Sequence, residues 1–312
     1  MDEIIKRGAA VIALTLGFAA TSGASLLPAP EAVGHKGAFT VTITGTGSRP
    51  MILIPGLLSS GEVWGRVVEH FASRYRLHVL TLAGFAGVPA VDGPLLPRVR
   101  DELIAYIREE RLDRPVLVGH SLGGFLAMWI ASTAPDVVGP LVAVDGVPFQ
   151  PALMNPSATA SAMEPVARQM RVMYGAMTPE RLGLLTAKAL TGMMSRPADV
   201  ERATVWASRS DAAAAGQALY ELMTTDLRND VANITSDVLL VAATKRVASN
   251  SDRLEMALNA YRAQVARIKH HRVVAATQAL HFVMLDDSTF LLSTMDDFLG
   301  SATADRTPGE AQ

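Results

Sequence analysis

The chain has 312 residues, 49% of them hydrophobic, enough for a large buried core in one or two domains. Its 28 Lys and Arg nearly balance 30 Asp and Glu, with no long run of either sign. Nothing in that balance suggests a nucleic-acid groove or a polybasic membrane patch, and the partner is expected to be small and largely uncharged. The absence of cysteine excludes disulfides, thiolate catalysis and Cys-ligated zinc, and leaves the compartment open.

At the amino end, Lys6 and Arg7 precede an apolar run over residues 8–20, and Ser22-Gly23-Ala24 offers a cleavage site before Ser25. These are the parts of a secretory signal, so residues 1–24 are expected to be a signal peptide and the protein periplasmic or secreted. Asp2 and Glu3 dilute the positive start, and a hydrophobic helix that stays on as an anchor is the alternative. The run is shorter than the roughly 20 residues a membrane span needs, so no stable span is expected after processing.

A loose stretch with Pro28, Pro30, Gly34 and Gly37 follows, and the fold is expected to start at residues 39–44, Phe-Thr-Val-Thr-Ile-Thr, whose alternation fits a half-buried edge strand. Residues 51–54, 77–82 and 116–118 are short apolar runs ended by breakers, as strands covered on both faces by helices should be. Helix-like segments lie between and after them, at residues 63–73, 98–110 and 122–132. The alternation resumes with strands at 141–144, 238–241 and 272–274, and helices at 253–268 and 288–299. It predicts an α/β fold with a mostly parallel central sheet flanked by helices, its core formed by residues 38–147 and 234–300.

Residues 148–233 interrupt that pattern. They are rich in Ala and Met (Met154, Met163, Met170, Met173, Met177, Met193, Met194, Met223), with Pro156, Pro165, Pro179 and Pro197 dividing them into short helices. Each Met alone reads as packing of the insertion onto the sheet. As a set these flexible, polarizable side chains predict a helical lid over an apolar pocket. The polar tail, residues 301–312, is expected to be disordered.

The most informative stretch is Gly119-His120-Ser121-Leu122-Gly123. A G-x-S-x-G pentapeptide is weak alone, but here a strand leads into it and a helix leads out. That context strains the serine and projects its hydroxyl from the carboxyl end of the sheet, where α/β sheets bind ligands. Ser121 is therefore the candidate nucleophile rather than one more turn serine.

From about Phe39 to Leu299 the sequence resembles the α/β-hydrolase fold family. Besides the pentapeptide, Ile52-Leu53-Ile54-Pro55-Gly56-Leu57 looks like the strand and turn that carry the family's oxyanion loop, with Pro55 where His is frequent, and Trp64 also fits. The resemblance implies an oxyanion hole built from the backbone N–H groups of Leu57 and Leu122, and a histidine base late in the chain. Of the seven histidines, His35, His70 and His78 fall too early, His120 is inside the pentapeptide, and His270 and His271 approach a strand. His281, which opens His-Phe-Val-Met-Leu-Asp-Asp after a strand and before the closing helix, looks like the family's histidine loop.

The acid departs from the usual pattern. Most of the family carries it shortly after the strand that here reads Val238-Leu239-Leu240-Val241-Ala242, but Ala243-Thr244-Lys245-Arg246-Val247-Ala248 follows, with no carboxylate. Asp252 is the nearest and is expected to cap the next helix. Some members carry the acid at the end of the preceding strand, where this chain has Asp145. The resemblance thus implies Ser121, His281 and Asp145 as a triad, with Asp252, Asp226 or a Ser-His dyad as alternatives. Lys245 and Arg246 are expected to face solvent, an anionic substrate end being the other reading.

What the resemblance implies is a serine hydrolase, carboxylesterase-like, needing no cofactor and no metal, that cleaves an ester or related acyl bond of a small, partly apolar substrate. Carbon–carbon bond hydrolysis and cofactor-free haloperoxidase chemistry use the same triad. A haloalkane dehalogenase would need a carboxylate in place of Ser121. A non-catalytic ligand-binding protein on the same fold is the alternative from another class.

Overall fold

The computed structural model describes residues 31–304. The expected signal segment, residues 1–24, and residues 305–312 of the tail lie outside the described residues. Among those described, no helix is long and apolar enough to cross a membrane.

Eight strands form one sheet: β1 (Glu31–Lys36), β2 (Phe39–Thr44), β3 (Arg49–Ile54), β4 (Tyr75–Leu82), β5 (Val116–His120), β6 (Leu141–Val144), β7 (Val238–Ala243) and β8 (His271–Ala276), in the order β1-β2-β4-β3-β5-β6-β7-β8. The β1–β2 and β2–β4 pairs are antiparallel and the remainder parallel. One element departs from the sequence reading. β2 is not the edge, because β1 pairs with it through a tight hairpin in which Lys36 faces Phe39 and Gly37 has φ 42°. The glycine that reads as a breaker supplies the positive φ this turn needs.

The central strands are buried along their lengths. Every residue of β5 and β6 is buried, as are Met51, Ile52, Leu53 and Ile54 of β3. Because side chains alternate across a strand, each contributes to two cores. Ile52, Ile54, Leu117, Leu141 and Leu240 join one, covered by α2 (Leu96–Glu109) and α3 (Leu122–Thr133). Met51, Leu53, Val118, Val142 and Val241 join the other, covered by α1 (Gly65–Phe71), the short α10 (Val283–Asp286) and α11 (Ser288–Ala304). Full burial of side chains such as Phe125 and Phe71 contributes about 2–3 kcal/mol each, so these two layers hold the sheet between them. α11 runs past Leu299, through residues read as tail, to Ala304.

Between β6 and β7 the chain forms α4 (Pro151–Met154), α5 (Ala160–Gly175), α6 (Pro179–Leu190), α7 (Pro197–Ser208) and α8 (Ala212–Thr224). Pro179 and Pro197 sit in first turns, where a missing N–H costs nothing. Pro165 does not divide helices: it lies inside α5, which packs along α8. The insertion is fastened to loops at the carboxyl ends of the strands. The Trp206 indole N–H donates to Glu62, beyond β3, at 3.4 Å. Asp211 N donates to Gly84 O, beyond β4, at 2.7 Å. Lys245 Nζ, beyond β7, donates to Ser195 Oγ at 2.7 Å, and Ser195 N and Oγ donate to Asp286, beyond β8, at 2.8 and 2.9 Å.

Lys245 and Arg246 are exposed, as expected, and both also bond to the α6–α7 connection, Arg246 through its guanidinium to Gly192 O. The methionines do not share one lining. Met194 is buried in the second core, Met177 packs on the first, Met163 rests against the Phe149 cluster, and Met154 is 87% exposed.

Candidate active site

Parallel register brings the candidate residues to one edge. Ile54 pairs with Gly119, His120 with Val144, and Val144 with Val241, so β3, β5, β6 and β7 end nearly level. Ser121 and Asp145 come next on β5 and β6. Ser121 N donates to Val144 O at 2.9 Å, and Asp145 N donates to Val241 O at 2.8 Å.

Ser121 has φ 52° and ψ −117°, a left-handed conformation costly for any residue with a side chain, and α3 starts at the next residue. The turn closes because its neighbours are glycines. A Cβ on Gly119 would lie 2.1 Å from Gly123 O, one on Gly123 2.1 Å from Ile54 O, and one on Gly146 2.4 Å from Ser121 O. The pentapeptide spacing is thus a packing requirement that drives α3 against the ends of β3 and β5. Asp145 also has a positive φ, 48°.

His281 turns to Asp145: Nδ1 lies 2.6 Å from Oδ2, with the carboxylate only 9% exposed. A carboxylate accepts only, so the imidazole proton sits on Nδ1 and Nε2 keeps its lone pair, the tautomer a general base requires. The other carboxylate oxygen, Oδ1, accepts from Ala243 N at 3.0 Å and from the Tyr261 hydroxyl at 2.5 Å. Tyr261 lies on α9 (Ser251–Val265) and has no part in the sequence reading. Nothing local marks it, since its partner is 116 residues away.

The backbone around His281 is tied at three successive residues. Leu280 N donates to Asp286 at 2.9 Å, His281 O accepts from His120 Nε2 at 3.1 Å, and Phe282 N donates to Met193 O of the insertion at 3.3 Å. His120 donates from Nε2, so its Nδ1 carries the lone pair. That atom is buried without a partner, 2.9 Å from where a Gly56 Cβ would stand. Burial, then the nearby His281, hold the His120 imidazole well below its ordinary pKa and therefore neutral.

On the other side of Ser121, the same Gly56 position lies 3.3 Å from Ser121 Cβ, so the loop after β3 packs directly on the serine. Among the described residues the N–H groups of Leu57, which follows Gly56 in that loop, and of Leu122, the first residue of α3, have no acceptor. Ser121 Oγ is likewise without a hydrogen-bond partner among the described residues. The alternative acids fall elsewhere. Asp226 is paired with Arg228 at 2.6 Å. Asp252 is exposed in the first turn of α9, whose cap is not Asp252 but Asn250, its side chain accepting from Arg253 N at 2.9 Å.

Residues 51–292 match the profile of the alpha/beta hydrolase family. The chain belongs to that family. Among curated proteins, this alpha/beta hydrolase family member is 27% identical, over 80% of its length and 91% of the relative, to a pimeloyl-[acyl-carrier protein] methyl ester esterase from Aliivibrio salmonicida. Among solved structures it is similar to an enol-lactonase from Burkholderia xenovorans (TM-score 0.68, 16% identity, 86% of this chain and all of that one). It is also similar to a hydrolase from Pseudomonas aeruginosa (TM-score 0.66, 19% identity, 89% and 99% covered). At these identities the structural likenesses speak for the fold.

Proposed function

We propose that this chain is an exported serine hydrolase that cleaves an ester or related acyl bond of a small, partly apolar substrate. Ser121 Oγ attacks the carbonyl while Nε2 of His281 takes its proton. Asp145 stabilises the imidazolium that forms. The Leu57 and Leu122 N–H groups hold the oxyanion, and losing one such donor costs about 10²–10³ in rate. His281 returns the proton to the leaving alcohol, and water resolves the acyl-enzyme by the same route in reverse.

The observation that carries this reading is the 2.6 Å Asp145–His281 pair at the sheet edge where Ser121 holds its strained turn. The ester bond is supported by the curated relative, named a methyl ester esterase. A lid role for residues 148–233 is supported by the fastening of that insertion to the loops beyond β3, β4, β7 and β8. Export rests on the apolar run at residues 8–20 behind Lys6 and Arg7.

The experiment is hydrolysis of p-nitrophenyl esters of increasing chain length by protein lacking residues 1–24, with Ser121→Ala alongside. Turnover that falls by about 10⁴-fold or more in the variant supports the reading, and the chain-length optimum measures the acyl site. Equal turnover by both proteins would rule it out.

A further inference from the structure

We propose that Tyr261 is a positioning residue for the reaction: its phenol donates to Oδ1 of Asp145 and thereby reserves Oδ2 for His281. This rests on the reading of Ser121, His281 and Asp145 given above.

A carboxylate has two equivalent oxygens on a soft terminal torsion, so an aspartate without further partners can exchange them or tilt out of the imidazole plane. Here the two oxygens have different duties. Oδ1 takes Ala243 N at 3.0 Å and Tyr261 Oη at 2.5 Å, while Oδ2 takes His281 Nδ1 at 2.6 Å. Two donors at fixed directions on Oδ1 set the carboxylate plane, and Asp145 N bonded to Val241 O sets its backbone. Burial, then the charge of Asp145, push the Tyr261 phenol above its ordinary pKa, so it stays a donor at any pH where the protein works.

Tyr261 is itself rigidly held. Three residues on, the same face of α9 presents buried Gln264, whose amide accepts from Phe149 N at 3.1 Å and donates to Phe149 O at 3.0 Å. Val265 follows in the first core. The helix that orients Asp145 is thus clamped to the segment from which the insertion departs.

The phenol also withdraws charge. A donor on a carboxylate spreads its negative charge and weakens its hold on an imidazolium. Removing the hydroxyl should therefore strengthen the electrostatic part of the Asp145–His281 pair while loosening its geometry. The titratable groups around this pair are Tyr261 from α9, His120 from the end of β5 and, through Leu280 N, Asp286, while the Lys245 ammonium is held on Ser195. Only the first changes in the test.

The test compares the protein, Tyr261→Phe, and protein carrying 3-fluorotyrosine at position 261, which keeps the shape and makes the phenol a stronger donor. The first readout is the low-field proton resonance of His281 Nδ1–H, which needs no turnover. The second is the pH profile of p-nitrophenyl ester hydrolysis. Expected for Tyr261→Phe is a resonance at lower field, kcat down about tenfold with KM nearly unchanged, and the acid limb of kcat/KM moved to higher pH. Fluorotyrosine should move the resonance to higher field. A resonance that stays put in both, or kcat and pH profile equal to those of the parent, would overturn the proposal. If the parent has no Ser121-dependent turnover, the functional reading fails, and the resonance alone still decides whether Tyr261 acts on His281 through Asp145.

Discussion

His120 Nε2 donates to the backbone carbonyl of His281 at 3.1 Å, so the residue before the candidate nucleophile holds the candidate base in place. The two rings lie 4.7 Å apart in opposite tautomers, one set by a carbonyl and the other by a carboxylate. His120→Phe would lose this donor, at about 1 kcal/mol, but would also remove the buried unpartnered Nδ1, whose presence costs a similar amount. Urea unfolding should therefore place the variant within about 1 kcal/mol of the parent. Its kcat should fall about ten- to a hundredfold, because the His281 backbone is no longer tied.

The acid assignment makes a ranking. Asp145→Asn leaves an amide that can turn a donor toward Nδ1 and so favours the wrong tautomer of His281; turnover should fall by about 10³–10⁴-fold. Asp252→Asn, exposed in the first turn of α9, should stay within about twofold. Side-by-side kcat/KM values check this, and the reverse order would remove Asp145 from the site.

His78 supplies a pH dependence of stability unconnected with catalysis. It is buried beside Tyr106, Nδ1 to Oη 2.6 Å, and burial, aided by Arg76, lowers its pKa from 6.5 to about 4. The unfolded chain therefore binds this proton first as pH falls. Stability is intact above about 6.5, declines below it, and the loss is complete once pH passes below about 4. The loss attributable to His78 is about 3 kcal/mol. Denaturant unfolding at a series of pH values should show this slope, and His78→Gln should reduce it. His120, also held neutral by burial, contributes with the same sign and leaves a residue of the effect.

Gly123 tests the packing behind the turn. Its Cβ would stand 2.1 Å from Ile54 O and 2.7 Å from Pro55 O, both backbone atoms that cannot move aside. Gly123→Ala should cost about 3 kcal/mol, read as a lower unfolding midpoint. Gly93→Ala offers no such clash but sits at φ 82°, so its smaller loss would measure backbone strain alone.

Much of this molecule was legible because its signals are local. Continuous apolar runs announced β3, β5, β6 and β7, and glycines two residues either side of Ser121 announced the turn. What escaped depends on distant partners. β1 is a strand because β2 offers it an edge, and its glycine hides that. Asp145 could be inferred only from the missing carboxylate after β7. What brings it to His281 is the pairing of β6 with β7, which sets Ala243 N against Oδ1. Tyr261 joins from a helix whose sequence announces only amphipathicity, and Lys245 and Arg246 found partners in an insertion whose docking no short pattern encodes. Asn250, two residues before Asp252, is the one placed to cap the helix.

The most direct measurement is the site of covalent reaction with diisopropyl fluorophosphate, read by intact mass and peptide mapping. The expected result is a single adduct, on Ser121, abolished by Ser121→Ala and formed orders of magnitude more slowly in His281→Ala. An unmodified protein, or an adduct on another residue that survives Ser121→Ala, would contradict it.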